Sequence, residues 1–488
     1  MIAAAFLAST ILLLGGCAQA PKKQALNLSV DIPSEWTALD NSAAIAAATA
    51  EEAPIVEHWW LSFVDSAAAA LVEEALAHNH DLQTATKNVA AARAQAKMAG
   101  APLWPQVRAD GSATRTKRNF IGFPIPGATG GVSSTTSTTY NANLVVSWEA
   151  DLWGRLRSGQ SAALADVEAA KADWHGTRQS LAAQTLRAYF AAIEARRQFE
   201  LAESTVASYA ISTDQVRSRY ERGLRPSLDL LLSRSSLSTA EANMYGRQRQ
   251  LDVARRQLEL LVGRYPAATL STAAELPRIE AAVPSGLPAE LIGRRPDLVA
   301  AERRLAASHA RYEEARATLY PRISLTASGG RSNSELGDLL DGDFGVWNLV
   351  GNLTQPLFQG GRLRAGIDLA SARADGALIA YARSALRAFS EVETNLAAGR
   401  FLSHQERALA AAARHSSAAR MLAEERYAKG LTDLLTMLTS QRNAYDAESR
   451  LLSVRRQLLE SRIDLHLALG GGFADGATTL ANATGDTP

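Results

Sequence analysis

The sequence contains one pattern twice, and this repeat constrains the fold more than any other feature. Residues 81–107 recur as residues 297–323, 216 positions later. Further along, matching segments lie 207 positions apart, as in Arg219-Tyr220-Glu221-Arg222-Gly223-Leu224 and Arg426-Tyr427-Ala428-Lys429-Gly430-Leu431. The smaller offset places a longer connection in the first copy. Two copies of one structural unit, over residues 81–263 and 293–470, therefore make up most of the chain.

Long proline-free stretches follow in each copy. No proline occurs between Leu156 and Arg225, or between Leu357 and Thr487, so nothing interrupts a ladder of helical hydrogen bonds there. Apolar residues at seven-residue spacing, typical of a coiled-coil seam, occur at Leu438, Tyr445, Leu452 and Leu459. In each copy the sequence predicts a shorter helix before the strands, the first of which ends near Trp104. Two helices then follow the strands, over residues 155–222 and 227–262 in the first copy and over residues 362–429 and 433–469 in the second. Each of the two longer helices would extend about 100 Å.

Before each long helix the pattern changes to alternation. Leu144, Val146 and Trp148 alternate with polar residues such as Asn143 and Ser147. This predicts β-hairpins over residues 105–152 and 321–358, hence four strands with one apolar and one polar face. Periodicity alone fits a soluble sandwich as well as a membrane barrel. A closed barrel needs at least about eight strands, so a barrel would require partner chains; two copies would suffice and three would give about twelve strands.

The N-terminal residues favour the membrane interpretation. Residues 2–14 are almost wholly apolar and lead into Gly15-Gly16-Cys17, which predicts a signal peptide over residues 1–16. The segment resembles a bacterial lipobox, which implies a diacylglycerol and an N-acyl (palmitoyl) chain on Cys17. Ala18 implies sorting of the lipoprotein to the outer membrane. Beyond residue 17 no run of about 18 apolar residues occurs, so we expect strands to form any membrane span.

Several classes of function are disfavoured by the residues present. The chain has 51 basic and 50 acidic residues spread along its length, so we expect no nucleic-acid partner. His78 and His80 lack the spacing of a metal site, and Cys17 is the only cysteine. The glycines near residue 127 are not followed by the Lys-Ser/Thr pair of a phosphate-binding loop. We expect no catalysis, metal or cofactor, and therefore an external source of energy.

Several segments carry a resemblance to a known family. They are His58-Trp59-Trp60 with Phe63 and Asp65, Trp148-Glu149-Ala150-Asp151-Leu152-Trp153-Gly154-Arg155-Leu156-Arg157, Gly286-Leu287-Pro288-Ala289-Glu290-Leu291 and Arg294-Arg295-Pro296-Asp297-Leu298. With them, the chain resembles the outer-membrane factor (TolC-like) family and its OprM/NodT-type efflux lipoproteins. The resemblance implies a mixed fold in which three protomers form a twelve-stranded transmembrane β-barrel continuous with an α-helical coiled-coil barrel in the periplasm. An equatorial domain would include residues 17–80 and 264–292, followed by a flexible tail over residues 471–488.

The resemblance also implies a gate at the periplasmic end of the helices. Carried over position by position, the gate residues are Asp229, Tyr427, Leu435 and Arg442. Thr436 and Thr439 stand where relatives carry aspartates. The resemblance therefore does not imply that this chain has an acidic ring at the constriction. Exchangeable ion pairs and hydrogen bonds suit such a latch, because each exposed pair contributes about 0–1 kcal/mol. We expect that replacing Tyr427 and Arg442 together loosens the closed state.

The implied partners complete an efflux system. A periplasmic adaptor (membrane fusion) protein would dock at the helix turns, on Gly223, Leu224, Gly430 and Leu431. A proton-driven inner-membrane pump, of the RND type, would supply energy for drugs or toxic compounds that the duct conducts passively. A type I secretion duct for polypeptides is the main alternative. A structural envelope lipoprotein is the other, although it leaves the four strands without a role.

Overall fold

A computed structural model of the 488-residue chain describes residues 33, 36–38, 58–120, 133–278 and 291–471. The predicted signal peptide, Cys17, residues 279–290 of the predicted equatorial linker and residues 472–488 of the tail lie outside the described residues. The described helices of eight or more residues are α1 (Ser66–His78), α2 (His80–Gly100), α3 (Arg155–Glu221), α4 (Ser227–Leu261), α5 (Pro296–Ala317), α6 (Arg362–Ala428) and α7 (Leu434–Ala468). The strands are β1 (Gln106–Phe120), β2 (Ser133–Ala150), β3 (Arg322–Asn333) and β4 (Gly345–Thr354).

The two long helices, α3 and α6, contain 67 residues each. Helix α3 begins directly after Gly154, which has a φ of 77° that side chains other than glycine rarely adopt. The Asp151 carboxylate accepts hydrogen bonds from the backbone N–H groups of Leu156 at 3.1 Å and Arg157 at 2.9 Å. These bonds satisfy donors that the first turn leaves unpaired. None of the described helices combines the length and apolar character that crossing a membrane would require.

The four strands form one antiparallel sheet in the order β1-β2-β3-β4, which confirms the predicted mixed fold. Pairing runs without a break from Gln106 opposite Ser147 to Phe120 opposite Ser133. Because side chains alternate along a strand, an unbroken register keeps each residue set on one face of the sheet. Leu144, Val146 and Trp148 therefore share a face with Gly329, Ala327 and Leu325, which lie opposite them on β3.

The chain divides into two compact units. Ala90–Ala169 and Glu302–Ala380 belong to the first, the strand unit, which contains the sheet. The described residues of Leu26–Val89, Ala170–Ala301 and Tyr381–Pro488 belong to the second, the helical unit. Each sequence repeat contributes to both units. The repeated sequence is therefore a unit of duplication and not a compact domain.

The core of the helical unit is organised by the aromatic segment that precedes α1. Trp59, Trp60 and Phe63 form a 3₁₀-helix (Trp59–Phe63) whose rings are buried in the largest hydrophobic cluster. Asp65 follows it and caps α1 by accepting from Ala67 and Ala68, each at 3.0 Å. The hydroxyl of buried Tyr189 donates to Asp65 at 3.1 Å. Burial raises the pKa of Tyr189 to about 12, so this hydroxyl keeps its proton.

His466 lies in the same cluster, near the end of α7. Its ring stacks on Trp59 with centroids 5.1 Å apart, and its Nε2 lies 3.4 Å from the Ser62 hydroxyl. Burial lowers the pKa of His466 to about 3, and the charge of Arg462 acts in the same direction. The imidazole is therefore neutral in the folded protein.

Acid is expected to destabilise the helical unit through His466. The unfolded chain takes up a proton on His466 below about pH 6.5, whereas the folded chain does so only near pH 3. Stability therefore falls as the pH drops from 6.5 towards 3, by about 2 kcal/mol at pH 5. Denaturant unfolding in detergent at pH 7.5, 6 and 5 measures the loss. The His466→Phe variant keeps a stacking ring and should lose this part of the pH dependence; an unchanged dependence would refute the assignment.

Candidate gate at the helix tips

Two helix turns, α3 to α4 and α6 to α7, share one backbone geometry. Gly223 and Gly430 have φ values of 72° and 76°, in the left-handed region. Leu224 donates its N–H to the Arg219 carbonyl, and Leu431 donates to the Arg426 carbonyl, both at 2.8 Å. This six-to-one bond ends a helix at a left-handed glycine. The repeated Gly-Leu pairs in the sequence therefore build two equivalent tips.

Leucine side chains project from these tips. Leu224 is 68% exposed, Leu431 is 64% exposed and Leu435 is 68% exposed. Leu228 and Leu231, on the first turns of α4, are also exposed. Exposed large apolar side chains that cluster at one place indicate a contact surface. The structure thus places the residues predicted to dock an adaptor, and Leu435, on the outside of the tips.

Tyr427 is fully buried beneath the tips. Its ring packs in a small cluster with Val216, Leu230, Leu434 and Met437, so four helices meet around it. The same residue in the first copy, 207 positions earlier, is Tyr220, which is 42% exposed. The two tips therefore differ in the role of their tyrosines, although their backbones match.

Two arginines from the first tip cover the Tyr427 ring. The guanidinium carbon of Arg219 lies 4.7 Å from the ring centroid, and that of Arg225 lies 5.7 Å from it. Both distances fall within the range of cation–π attraction. Arg219 also donates to the backbone carbonyl of Ala428 at 2.7 Å. Burial raises the pKa of Tyr427, and the two arginines oppose that rise.

Asp229 joins this cluster through Arg225. Its carboxylate lies 3.9 Å from the Arg225 guanidinium, and its side chain is mostly buried. Asp229 and Tyr427, predicted separately from the two repeats, are thus brought to one place by the arginines between them. Neither Arg219 nor Arg225 was among the residues predicted from the sequence. The available signal was the group of three arginines within four residues of Gly223, namely Arg219, Arg222 and Arg225. We call Arg219, Arg225, Asp229 and Tyr427 the tip cluster.

Thr436 has a defined partner at the second tip. Its backbone N–H and its hydroxyl each donate to the Asp433 carboxylate at 2.8 Å. These bonds lower the pKa of Asp433, which is the N-cap of α7. By the repeat offset, Thr436 corresponds to Asp229 and Asp433 corresponds to Pro226. The second tip thus keeps a carboxylate, three residues earlier and within a helix cap. Thr439 is half-buried one turn further along α7.

Arg442 lies apart from the tip cluster. It is exposed, five residues or about 7.5 Å of helix rise beyond Met437. With Tyr209 and Tyr445 it lines a groove of about 640 Å³ in the helical unit. Burial raises the pKa of Tyr209, and the charge of Arg442 opposes that rise. Within one chain the structure does not bring Arg442 to Tyr427, and the effect of replacing both residues together stays a prediction.

Gln441, next to Arg442, holds α7 against two other helices. Its side-chain nitrogen lies 3.1 Å from the Ser208 hydroxyl, 3.0 Å from the Ser212 hydroxyl and 2.9 Å from the Glu424 carboxylate, so its two hydrogens are shared among three acceptors. The side chain is fully buried, and these bonds offset the cost of burying its NH2 group, whereas its carbonyl oxygen has no partner among the described residues. This network fixes α3, α6 and α7 behind the tip cluster.

A duplicated unit of long helices, together with a sheet that is apolar on one face and polar on the other, is the architecture of an outer-membrane channel. The family model described as "Outer membrane efflux protein" matches residues 71–264 and 287–471. The chain belongs to this family and works as an exit duct in the outer membrane.

Individual relatives match this chain in sequence or structure over nearly its whole length. The antibiotic efflux pump outer membrane protein ArpC of Pseudomonas putida is 33% identical over 99% of this chain and 98% of its own length. The toluene efflux pump outer membrane protein TtgC of the same species is 33% identical with the same coverage. The open-state structure of the Neisseria gonorrhoeae MtrE outer membrane channel is 28% identical, with a TM-score of 0.77 over 93% of this chain and 98% of its own.

Proposed function

We propose that three copies of this chain form one gated duct that passively conducts small molecules, such as drugs or toxic compounds, to the exterior. The observation that carries the proposal is the four-stranded sheet, which is open at β1 and β4. Unpaired backbone groups are costly in lipid, so the edges need strands from other copies. Three copies would supply twelve strands. The named cargo of the relatives, antibiotics and toluene, supports a small-molecule substrate.

The tip cluster is proposed to act as the latch of the periplasmic gate. Cation–π and ion-pair contacts of half-buried groups hold the first tip on the second with modest energy. Contacts of that strength can be exchanged when a partner binds, as a bistable element requires. Leu435, exposed one residue after α7 begins, would narrow the opening. Arg442 would act separately, beside Tyr209.

The proposed partners are a periplasmic adaptor and an RND-type inner-membrane pump. Relatives are named as components of efflux pumps, which supports partners of this kind. Gly223 with Leu224 and Gly430 with Leu431 give two equivalent apolar points on which helical tips of an adaptor would dock. No energy-coupling group is needed in the duct itself.

A lipid anchor on Cys17 is also proposed. The apolar run and the small residues before Cys17 support cleavage and acylation at this position. A diacylglycerol with an N-palmitoyl chain would tether each copy to the outer membrane. The lipid would add to the membrane attachment that the strands provide and would not replace it.

Gene deletion with complementation, and co-purification of the protein with its partners, test the proposed duct. Deleting the gene in the native host should raise the accumulation of a fluorescent hydrophobic dye several-fold, and the wild-type gene should restore export. Co-purification from cross-linked membranes should recover an adaptor and a proton-driven pump. Unchanged dye export with loss of one secreted polypeptide would favour the type I duct. Recovery of peptidoglycan alone, with unchanged export, would favour the structural lipoprotein.

The latch is tested by a double-mutant cycle on channel opening in planar lipid bilayers. Arg219→Met and Tyr427→Leu should each raise the ratio of open to closed times, because each removes the same cation–π contact. The increase in the open-to-closed ratio of the double variant should be smaller than the product of the two single increases, by a factor of about 2–5. This factor is equivalent to a coupling free energy of about 0.5–1 kcal/mol.

The control cycle pairs Tyr427→Leu with Arg442→Met. These residues share no contact within the chain, so their effects on opening should multiply independently. Full independence in the Arg219 cycle, or unchanged conductance in every variant, would contradict the latch.

The anchor is tested by growth with radiolabelled palmitate. Wild-type protein should carry the label, and the Cys17→Ser variant should carry none. The variant should still assemble in the outer membrane if its export sequence is replaced by a non-lipoprotein signal, because the strands span the bilayer. Label that persists in the variant would disprove acylation at Cys17.

A further inference from the structure

Charge is distributed unevenly on the apolar face of the sheet. This face contains Leu144, Trp148, Leu325 and Leu349 and, by the unbroken pairing, the odd-numbered residues of β1. Within the described strands it has three charged residues, all basic and all towards the hairpin ends: Arg115, Lys117 and Arg331. An apolar face with cations at one end only is a feature that closing a barrel does not require.

The apolar band on this face has the height of a bilayer core. On β2 it runs from Ala150 to Tyr140, about 33 Å along the strand at ~3.3 Å per residue. A strand tilt of about 40–45° converts this length to about 25 Å, the apolar height of outer-membrane barrels. Arg115 and Lys117 lie opposite Thr138 and Thr136, directly beyond the band. They therefore lie at the level of lipid head groups.

Chain connectivity decides which leaflet these residues meet. Helices α2 and α5 lead into β1 and β3, and α3 and α6 follow β2 and β4, so each of these four helices joins the sheet at the end opposite to the hairpins. This step rests on the proposed function, in which the helices lie in the periplasm. The hairpin ends then face outward, and Arg115 and Lys117 meet the outer leaflet.

Neither Arg115 nor Lys117 has a carboxylate partner in the part of the chain that the structure describes. By contrast, the polar-face Arg108 pairs with Asp110 at 2.9 Å. Residues 121–132, which connect β1 to β2, contain no acidic residue in their sequence. Arg331 differs from them because it is adjacent to the acidic β3–β4 connection, and it is not part of the site.

We propose that Arg115 and Lys117 bind the phosphate groups of the anionic glycolipid in the outer leaflet. The two side chains are exposed on one face, about 7 Å apart. A guanidinium binds phosphate through two parallel hydrogen bonds, and an ammonium binds it as a point charge. The hydroxyls of Thr136 and Thr138 supply further donors beside them. The site anchors the barrel wall to its lipid and plays no part in conduction.

Binding of purified lipid A to the full-length protein in neutral detergent tests the site, by native mass spectrometry. Wild-type protein should bind bisphosphorylated lipid A about tenfold to thirtyfold more tightly than the Arg115→Gln/Lys117→Gln variant does. The matched control is Arg118→Gln, which removes a cation from the same strand on the opposite face and should retain wild-type affinity. Inorganic phosphate at equal concentration should not compete, because the apolar face holds the acyl chains.

Three results would overturn the site: equal affinity in the double variant, equal binding of dephosphorylated lipid A, or dissociation of the variant oligomer without lipid. Such dissociation would mean that acidic residues in the β3–β4 connection of a neighbouring copy pair with Arg115 and Lys117. Dye export by the double variant should match wild type. Loss of lipid binding with normal export therefore separates this inference from the proposed duct, whose failure appears as unchanged export on gene deletion.

Discussion

Backbone hydrogen bonding at the edges of the four-stranded sheet is the constraint on which the rest of the structure depends. β1 and β4 each offer one unpaired edge, and the outward face carries leucine, valine and tryptophan side chains that water solvates poorly. Lipid can cover the apolar face but cannot satisfy the edges. A single copy is therefore incomplete, and the proposed closure with other copies would place the polar face on the inside, where a duct needs it.

Duplication explains how the helices and strands arise together, and divergence between the copies explains the tips. Gly223 and Gly430 keep the same backbone, because only glycine adopts this left-handed conformation readily. The residues around them have changed. Tyr220 is exposed where Tyr427 is buried, and the second copy carries its carboxylate at Asp433. The first tip supplies the arginines that cover the Tyr427 ring, and the second tip supplies the buried tyrosine.

Much of the fold could be predicted because its signals are local. Helices without proline and strands with alternating polarity depend on residues a few positions apart. The repeat added long-range information by indicating that the second half copies the first. The family and the location in the outer membrane are confirmed by relatives that match over nearly the whole chain. The lipid on Cys17 and the trimer stay predictions, since neither lies within the described single chain.

The sequence by itself determined the element types, the two equivalent tips, the faces of the strands and the kind of protein. Only the tertiary structure decided which residues near the helix tips meet. Arg219 and Arg225 cover Tyr427, Asp229 reaches the same cluster, and Arg442 lies beside Tyr209 instead. The physical reason is that periodicity defines the side of a helix on which a residue lies. Contacts between helices more than 200 residues apart depend on how their side chains pack, and no local pattern encodes that.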